Sequence, residues 1–158
     1  MGYTSTKIKL QETGKFNDQN LVLGNIFHIC DAGGARNTSG IINSIFITIT
    51  NQIKYDMDLL FFNQSLTSTV ENCKPLILTQ SDALNCFGKI RIEGNNDGNM
   101  DDFLNIVGGY YFAHLFNINL PYSGKEIFGV AVYQDVNTHI FDNNTFLTIN
   151  HDNRGNSL

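Results

Sequence analysis

The chain has 158 residues, a hydrophobic share of 42%, a charged share of 16% and a formal net charge of −5. This length fits one domain with a single sizeable core. Its ten Lys and Arg residues are dispersed along a net acidic chain, so we expect no direct contact with nucleic acid. No apolar run approaches the ~20 residues of a membrane span, and the N-terminal residues lack the layout of a signal peptide, so neither a membrane nor export is indicated.

The composition favours strands over helices. Asn, Thr, Ile and Phe are frequent, whereas Glu occurs only four times, so turn and strand formers outnumber helix formers. We therefore predict an all-β protein, an antiparallel β-sandwich of jelly-roll-like type, with at most one short helix.

The two ends of the chain differ from its middle. Residues 1–20 are polar and mixed, which predicts an N-terminal arm or a single edge strand outside the main core. Residues 21–150 carry the apolar segments and form the predicted sandwich domain, beginning with strand-like residues at 21–23 and 26–30. Residues 151–158 are predicted to be a loose, polar tail.

The clearest predicted strand covers residues 41–50. Three isoleucines alternate there with one Phe and two Thr residues, which is the period-two pattern of a strand with one buried face. The isoleucines are Ile45, Ile47 and Ile49, and the alternating residues are Phe46, Thr48 and Thr50. Residues 57–62 are apolar in both phases, so this strand is expected to lie centrally or under a covering segment.

The second half of the chain continues the pattern. Residues 79–84 offer a capping side chain before a short apolar stretch, which predicts one brief helical turn leading into a strand at 89–92. Residues 110–120 alternate as one strand, and 127–133 and 145–150 complete a set of seven to nine strands. One side of the 110–120 strand is a predicted aromatic face, made of Tyr110, Phe112, His114, Phe116, Ile118 and Leu120.

The loop from Glu93 to Asp102 is the most suggestive candidate for a metal site. Its Asn, Asp and Gly residues resemble part of a calcium-binding loop, because hard cations prefer several oxygen ligands on a tight turn. However, Leu104 stands where the bidentate Glu is required, and no helix precedes the loop. We therefore predict a flexible connection and no metal site.

Other chemical signatures are weak. Cys30, Cys73 and Cys86 are odd in number and widely spaced, which favours reduced thiols, and the four histidines His28, His114, His139 and His151 have no metal-ligand spacing. No G-x-S-x-G motif occurs, and the pairs Gly33-Gly34 and Gly108-Gly109 stand outside any phosphate-loop pattern. The sequence predicts a protein that is not an enzyme, with no catalytic, cofactor-binding or metal-binding residues.

Binding remains as the expected activity. Twelve Phe residues, many Ile residues and strands that are apolar on both faces give more apolar surface than one small core needs. We expect part of that surface to be buried in an assembly, and the alternative is that the sandwich simply has a thick aromatic core.

Several short, apolar, turn-bounded segments follow one another in an order that resembles a known family. They are Gly33-Gly34 with Ser39–Ile45, Asp58–Asn63, Asp82–Leu84 before Gly88, Leu120–Tyr122, and Phe128–Val130. Over residues 21–150 this pattern is similar to a family of small tailed-phage proteins found with head genes. The longer 93–102 loop and the polar tail after Asn150 depart from it.

The resemblance implies a virion structural protein but carries over no functional residue. We expect an auxiliary or decoration protein that is made in the host bacterial cytoplasm. It would bind the major capsid protein and copies of itself on the capsid surface and stabilise the shell. The alternative is a carbohydrate- or receptor-binding module of a head fibre or tail, which would stack Tyr110, Tyr111 and Tyr133 on sugars. A glycan hydrolase is the third hypothesis.

Overall fold

The all-β prediction is confirmed by a computed structural model, which describes residues 2–29, 39–51, 53–94, 100–102, 111–124 and 126–153. Within these ranges there are thirteen strands and one short helix, and no helix is long and apolar enough to cross a membrane. The strands are β1 (Gly2–Leu10), β2 (Gly14–Phe16), β3 (Leu21–Val22), β4 (Phe27–Ile29), β5 (Ser39–Ile49), β6 (Met57–Phe62), β7 (Cys86–Ile92), β8 (Met100–Asp102), β9 (Tyr111–Leu115), β10 (Leu120–Ser123), β11 (Ile127–Tyr133), β12 (His139–Phe141) and β13 (Thr145–Asn153). The helix is α1 (Gln80–Leu84).

The strands form two main antiparallel sheets. The larger sheet has the order β1-β13-β5-β9-β8, and β10 also pairs with β5. The smaller sheet has the order β3-β11-β6-β7, and β4 also pairs with β11. A separate pair joins β12 to β2. One hydrophobic core contains residues of both main sheets, so the antiparallel sandwich is present, while the jelly-roll connectivity stays a prediction.

Strand β5 lies at the centre of the larger sheet and confirms the predicted alternation. Ile45, Ile47 and Ile49 are 0% exposed and belong to the core between the sheets. The branched side chains fit the pleated surface, and each is followed by a residue that points to the other side of the sheet. The strand therefore fixes which residues of its neighbours face inward.

Strand β6 is central in the smaller sheet, as its two apolar faces predicted. It pairs with β11 on one side and β7 on the other. Leu59 and Phe61 contribute to the core between the sheets, whereas Phe62 belongs to a second cluster on the opposite face. That second cluster is covered by apolar residues of the segment after β6, namely Leu66, Val70, Leu76 and Leu78. The smaller sheet is thus buried on both faces.

The predicted brief helix is also confirmed. The Thr79 hydroxyl caps α1 by accepting a hydrogen bond from the Asp82 amide. The helix ends after five residues, at Leu84, and leads into β7.

The N-terminal segment is an edge strand, but the prediction that it lies outside the core is wrong. β1 pairs with β13 along its whole length, and Leu10 and Phe16 are buried in the main core. The alternation of Lys7, Ile8, Lys9 and Leu10 explains this placement, because period-two spacing sends every second side chain inward.

The predicted boundary at residue 150 also differs from the structure. β13 continues to Asn153, because β1 and β5 pair with it on its two sides. His151 is 1% exposed, and its ring nitrogen lies 3.3 Å from the Tyr122 hydroxyl. Residues 154–158 of the predicted tail lie outside the described residues.

The prediction of one strand over residues 110–120 is wrong as well. Residues 111–115 form β9 and residues 120–123 form β10, and both strands pair with β5. Between them, Asn117 and Asn119 have φ values of 52°, in the left-handed region that interrupts a pleated strand. Ile118 and Leu120 pack against the core, so they leave the predicted aromatic face. Tyr110 lies outside the described residues.

We predict that Ile47→Ala lowers the free energy of unfolding by about 2–5 kcal/mol, because it leaves a cavity in the shared core. The matched control is Ile140→Ala, which removes the same atoms from a side chain that is 68% exposed. The control should change stability by less than about 0.5 kcal/mol. Urea unfolding of both variants measures the difference, and equal losses would contradict the position of the core.

Candidate interaction surface

An aromatic surface covers the outer side of the larger sheet. Thr48 on β5 pairs with Phe112 on β9 and with Phe146 on β13. Phe46 on β5 pairs with His114 on β9. Directly paired residues of antiparallel strands share one side of a sheet, and these alternate with the buried isoleucines of β5. The aromatic face is defined here as Phe46, Phe112, His114, Phe116 and Phe146.

Four of its rings contact one another. The centroids of Phe46 and Phe112 are 5.8 Å apart in a stacked arrangement, and the His114 ring meets Phe46 edge-on at 5.2 Å. The Phe116 ring lies 3.8 Å from His114. Such pairs hold each other in place, because rings at these separations attract beyond simple burial of area. The face is therefore a preorganised, largely apolar surface.

Its two ends are exposed to solvent. Phe116 is 65% exposed and Phe146 is 41% exposed, whereas the rings between them are half-buried. Among the described residues, none of the five rings belongs to either hydrophobic cluster. The opposite side of the sandwich differs, because the segment after β6 covers the outer side of the smaller sheet. An exposed aromatic group on one side is typical of a contact surface.

A small groove lies beside Phe146, at the β1 edge of the aromatic face. In the β1–β13 register, Lys9 is opposite Phe146 and Lys7 is opposite Thr148. The groove has a volume of 280 Å³. It is lined by Lys7, Ile8, Lys9, Phe146, Leu147 and Thr148.

The sequence indicated part of this surface. The alternation along residues 110–120 predicts a common aromatic side for Phe112, His114 and Phe116, and they do lie together. The contributions of Phe46 and Phe146 do not follow from the sequence alone, because nothing in it states which strands are neighbours. Their signal was present in the alternation of Phe46 with the isoleucines and of Phe146 with Leu147.

Of the three tyrosines proposed for sugar stacking, Tyr110 lies outside the described residues, and the other two contact the core. Tyr133 is 0% exposed and its hydroxyl donates to the Asn137 carbonyl. Tyr111 packs against the core, with the Lys54 ammonium 5.3 Å from its ring centroid. A stacking role for Tyr133 is therefore wrong, since no ligand reaches a ring in the core.

The histidines and cysteines have separate surroundings. His28 stacks on Phe128 at 4.6 Å and lies 3.6 Å from a Glu126 oxygen. His139 lies 3.8 Å from the Asp135 carboxylate. Cys73 and Cys86 are half-buried free thiols, and Cys30 lies outside the described residues. Across the described part of the chain, no three His, Cys, Asp or Glu side chains group as metal ligands would.

Residues 95–99, at the centre of the suspected cation loop, lie outside the described residues. At its start, the Gly94 amide donates to the Asp56 carboxylate at 2.8 Å. At its end, residues 100–102 form β8 and pair with β9.

A second, polar groove lies along the segment that covers the smaller sheet. Its volume is 530 Å³, and it is lined by Thr67, Ser68, Thr69, Glu71, Lys74, Pro75, Ile77 and Thr79. The buried Asp82 carboxylate accepts hydrogen bonds from the amides and hydroxyls of Thr67 and Ser68. Burial acts to raise the pKa of Asp82, but these bonds outweigh it and lower the pKa to about 2. This charge fixes the shape of the covering segment.

Glu12 is the other buried carboxyl group with a shifted pKa. Its Oε1 accepts a hydrogen bond from the side-chain amide of Asn51 at 3.2 Å, and its Oε2 has no hydrogen-bond partner. Burial raises the pKa of Glu12 to about 8, an effect that nearby Thr145 and Asn51 only partly offset. Burial and the neighbouring Glu12 charge also raise the pKa of Tyr55. This corner of the sandwich therefore favours neutral groups.

No protein-family model matches the sequence, and no curated protein matches it significantly.

We predict that Glu12→Gln stabilises the protein at pH 8 by a few kcal/mol and has little effect near pH 4.5. In the unfolded chain this carboxyl ionises near pH 4.5, whereas the folded protein keeps its proton to about pH 8. The wild-type protein therefore loses stability as the pH rises between these values, and the neutral variant does not. Urea unfolding across this pH range measures the effect.

The matched control for this prediction is Glu71→Gln, which neutralises an exposed carboxylate. Its stability should follow the wild-type pH profile. A parallel profile for Glu12→Gln would show that Glu12 is ionised in the folded protein.

Proposed function

We propose that this protein is a structural subunit of a phage virion, an auxiliary or decoration protein that binds the major capsid protein on the head and stabilises the shell. The protein would be made in the host bacterial cytoplasm and would then be located on the capsid surface. The observation that carries the proposal is the aromatic face, whose end rings Phe116 and Phe146 are exposed on an ordered sheet. The order of the segments resembling phage head proteins supports the same assignment.

The shape of the surface suits a protein partner. Sheets present a broad and gently twisted area, and aromatic rings bury much apolar surface at a small entropic cost. Aromatic residues are also enriched in the centres of protein interfaces, where they supply most of the binding energy. A capsid repeats the same contact many times, so a modest affinity per copy is enough to stabilise the shell. Contacts between copies of this chain would add to that effect.

The polar clusters of the described residues support a structural role. The Asp82 carboxylate is occupied by the Thr67 and Ser68 donors. The Asp135 carboxylate accepts hydrogen bonds from the amides of Asp56 and Asn137, at 3.4 and 2.8 Å. Both groups hold main-chain segments in position, which is the usual work of buried carboxylates in a scaffold.

The second candidate function is carbohydrate or receptor binding by a fibre or tail module, and the polar groove favours it. Its hydroxyls, the Glu71 and Lys74 charges and the exposed Ile77 are the kinds of group that contact a sugar. The groove contains no aromatic ring among its lining residues, and Tyr133 is buried. Because sugar binding commonly uses an exposed aromatic ring and the described lining of this groove has none, capsid binding through the aromatic face is the first proposal.

We predict that Phe146→Glu weakens binding to capsids lacking this protein by at least about tenfold, because it places a charge in the apolar contact. Co-sedimentation of the purified protein with these capsids, over a range of concentrations, gives the affinity. Leu84→Glu is the matched control, since this side chain is 78% exposed on α1, away from the aromatic face. Saturable binding by the wild type and the control, lost in the variant, supports the proposal.

A folded wild-type protein that does not bind capsids would contradict the capsid proposal. Saturable binding to a glycan array by that protein, abolished by changes at the polar groove, would then favour the module of a fibre or tail. Equal capsid binding by Phe146→Glu and the wild type would retain the virion assignment and move the contact elsewhere on the chain.

A further inference from the structure

The groove at the edge of the aromatic face combines an apolar floor with a cationic rim. Phe146 and the buried Leu147 supply apolar surface, while Lys7 and Lys9 project from the edge strand β1. Both lysines are exposed, and they lie two residues apart on the same side of the strand. Positive charge is therefore concentrated along the β1 border of the aromatic face.

The size of the groove limits what it can hold. Its 280 Å³ is at or below the lower end of the roughly 300–1,000 Å³ typical of small-molecule sites. It is open on its outer side and continuous with the aromatic face through Phe146. A single apolar side chain from a partner surface fits such a depression better than a free ligand does.

The charges of the surroundings define the chemistry of that partner. Neither Lys7 nor Lys9 forms an ion pair with a side chain that the structure describes. The outward positions of β13 and β5 opposite and beside them are Phe146, Thr148, Phe46 and Thr48, all of them uncharged. The whole chain nevertheless carries a net charge of −5. The groove is thus a local positive region on an acidic protein, and it complements carboxylates.

We infer that this groove binds an acidic, apolar element of the partner protein: an apolar side chain inserted beside Phe146, with one or more neighbouring carboxylates paired to Lys7 and Lys9. The inference rests on the proposed function and specifies the partner's chemistry at one place on the aromatic face. The apolar contact supplies affinity, and the charge pairs fix the orientation and accelerate the encounter.

Two other occupants fit the charges less well. A twofold contact between copies of this chain, centred on the groove, would bring four lysines together, and like charges across an interface are unfavourable. A nucleic acid needs several cations along its backbone, whereas two line this groove and the net charge of the chain as a whole repels phosphate. A partner protein that presents an apolar side chain next to carboxylates complements both the apolar floor and the lysine rim of the groove.

The test uses the full chain and capsids that lack it. The double variant Lys7→Glu, Lys9→Glu should bind these capsids at least about tenfold more weakly than the wild type at an ionic strength of about 0.05 M. The difference should shrink at about 0.5 M, where exposed charges are screened. Lys7→Gln, Lys9→Gln should give a smaller loss and serves if the charge reversal impairs folding. The matched control is Lys15→Glu, Lys74→Glu, which reverses two exposed lysines elsewhere and should bind like the wild type.

Several outcomes would overturn the inference. If the lysine variants bind like the wild type while Phe146→Glu does not, the partner contact is apolar and uncharged, although the proposed function stands. Binding of a poly-dT oligonucleotide that is lost in the lysine variants would assign the rim to phosphate. Self-association of the wild type that Phe146→Glu abolishes, with capsid binding retained, would assign the groove to a second copy. Wild-type protein that binds no capsid would overturn both proposals together.

Discussion

The alternation of side chains along β5 is the constraint on which the other features depend. Ile45, Ile47 and Ile49 must face the core, so the residues between them must face outward. Antiparallel pairing then transmits this choice to β9 and β13, because directly opposed residues share a side of the sheet. A shift by one residue would expose the isoleucines and bury polar neighbours. The same strand register therefore places the isoleucines in the core and the aromatic residues on the outer side of the sheet.

The outer sides of the two sheets differ in whether a segment of the chain covers their apolar residues. In the smaller sheet, β6 and β11 are apolar in both phases, and the segment that follows β6 folds back over them. The Asp82 carboxylate holds the start of that segment through Thr67 and Ser68, at the energetic cost of burying a charge that hydrogen bonds then compensate. In the larger sheet, the aromatic rings lie outside both hydrophobic clusters among the described residues. Among the described residues, the sandwich therefore has one side covered by its own chain and another side on which Phe116 and Phe146 are exposed.

The edge of the larger sheet connects stability with recognition. β1 supplies Ile8 and Leu10 to the core and Lys7 and Lys9 to the rim of the groove. Lysines on an edge strand also discourage unwanted pairing with strands of other proteins, because extension of the sheet would bury their charge. Just beyond β1, Glu12 is buried with one carboxyl oxygen that has no hydrogen-bond partner. Its raised pKa, about 8, keeps this side chain mostly protonated at neutral pH. One short segment thus contributes to the core, to the edge and to the candidate contact.

The sequence by itself determined the all-β class, the buried phase of β5, the two-sided burial of β6 and the brief helix α1, since each follows from local periodicity or a capping side chain. It also placed Phe112, His114 and Phe116 on one side. Only the tertiary structure decided that Leu10 and Phe16 join the core and that Phe146 lies two strands from Phe112 on the same face. Strand neighbours are set by long-range pairing, which leaves no periodic signal in the sequence. Left-handed residues such as Asn117 ended a strand whose alternation alone predicted continuity.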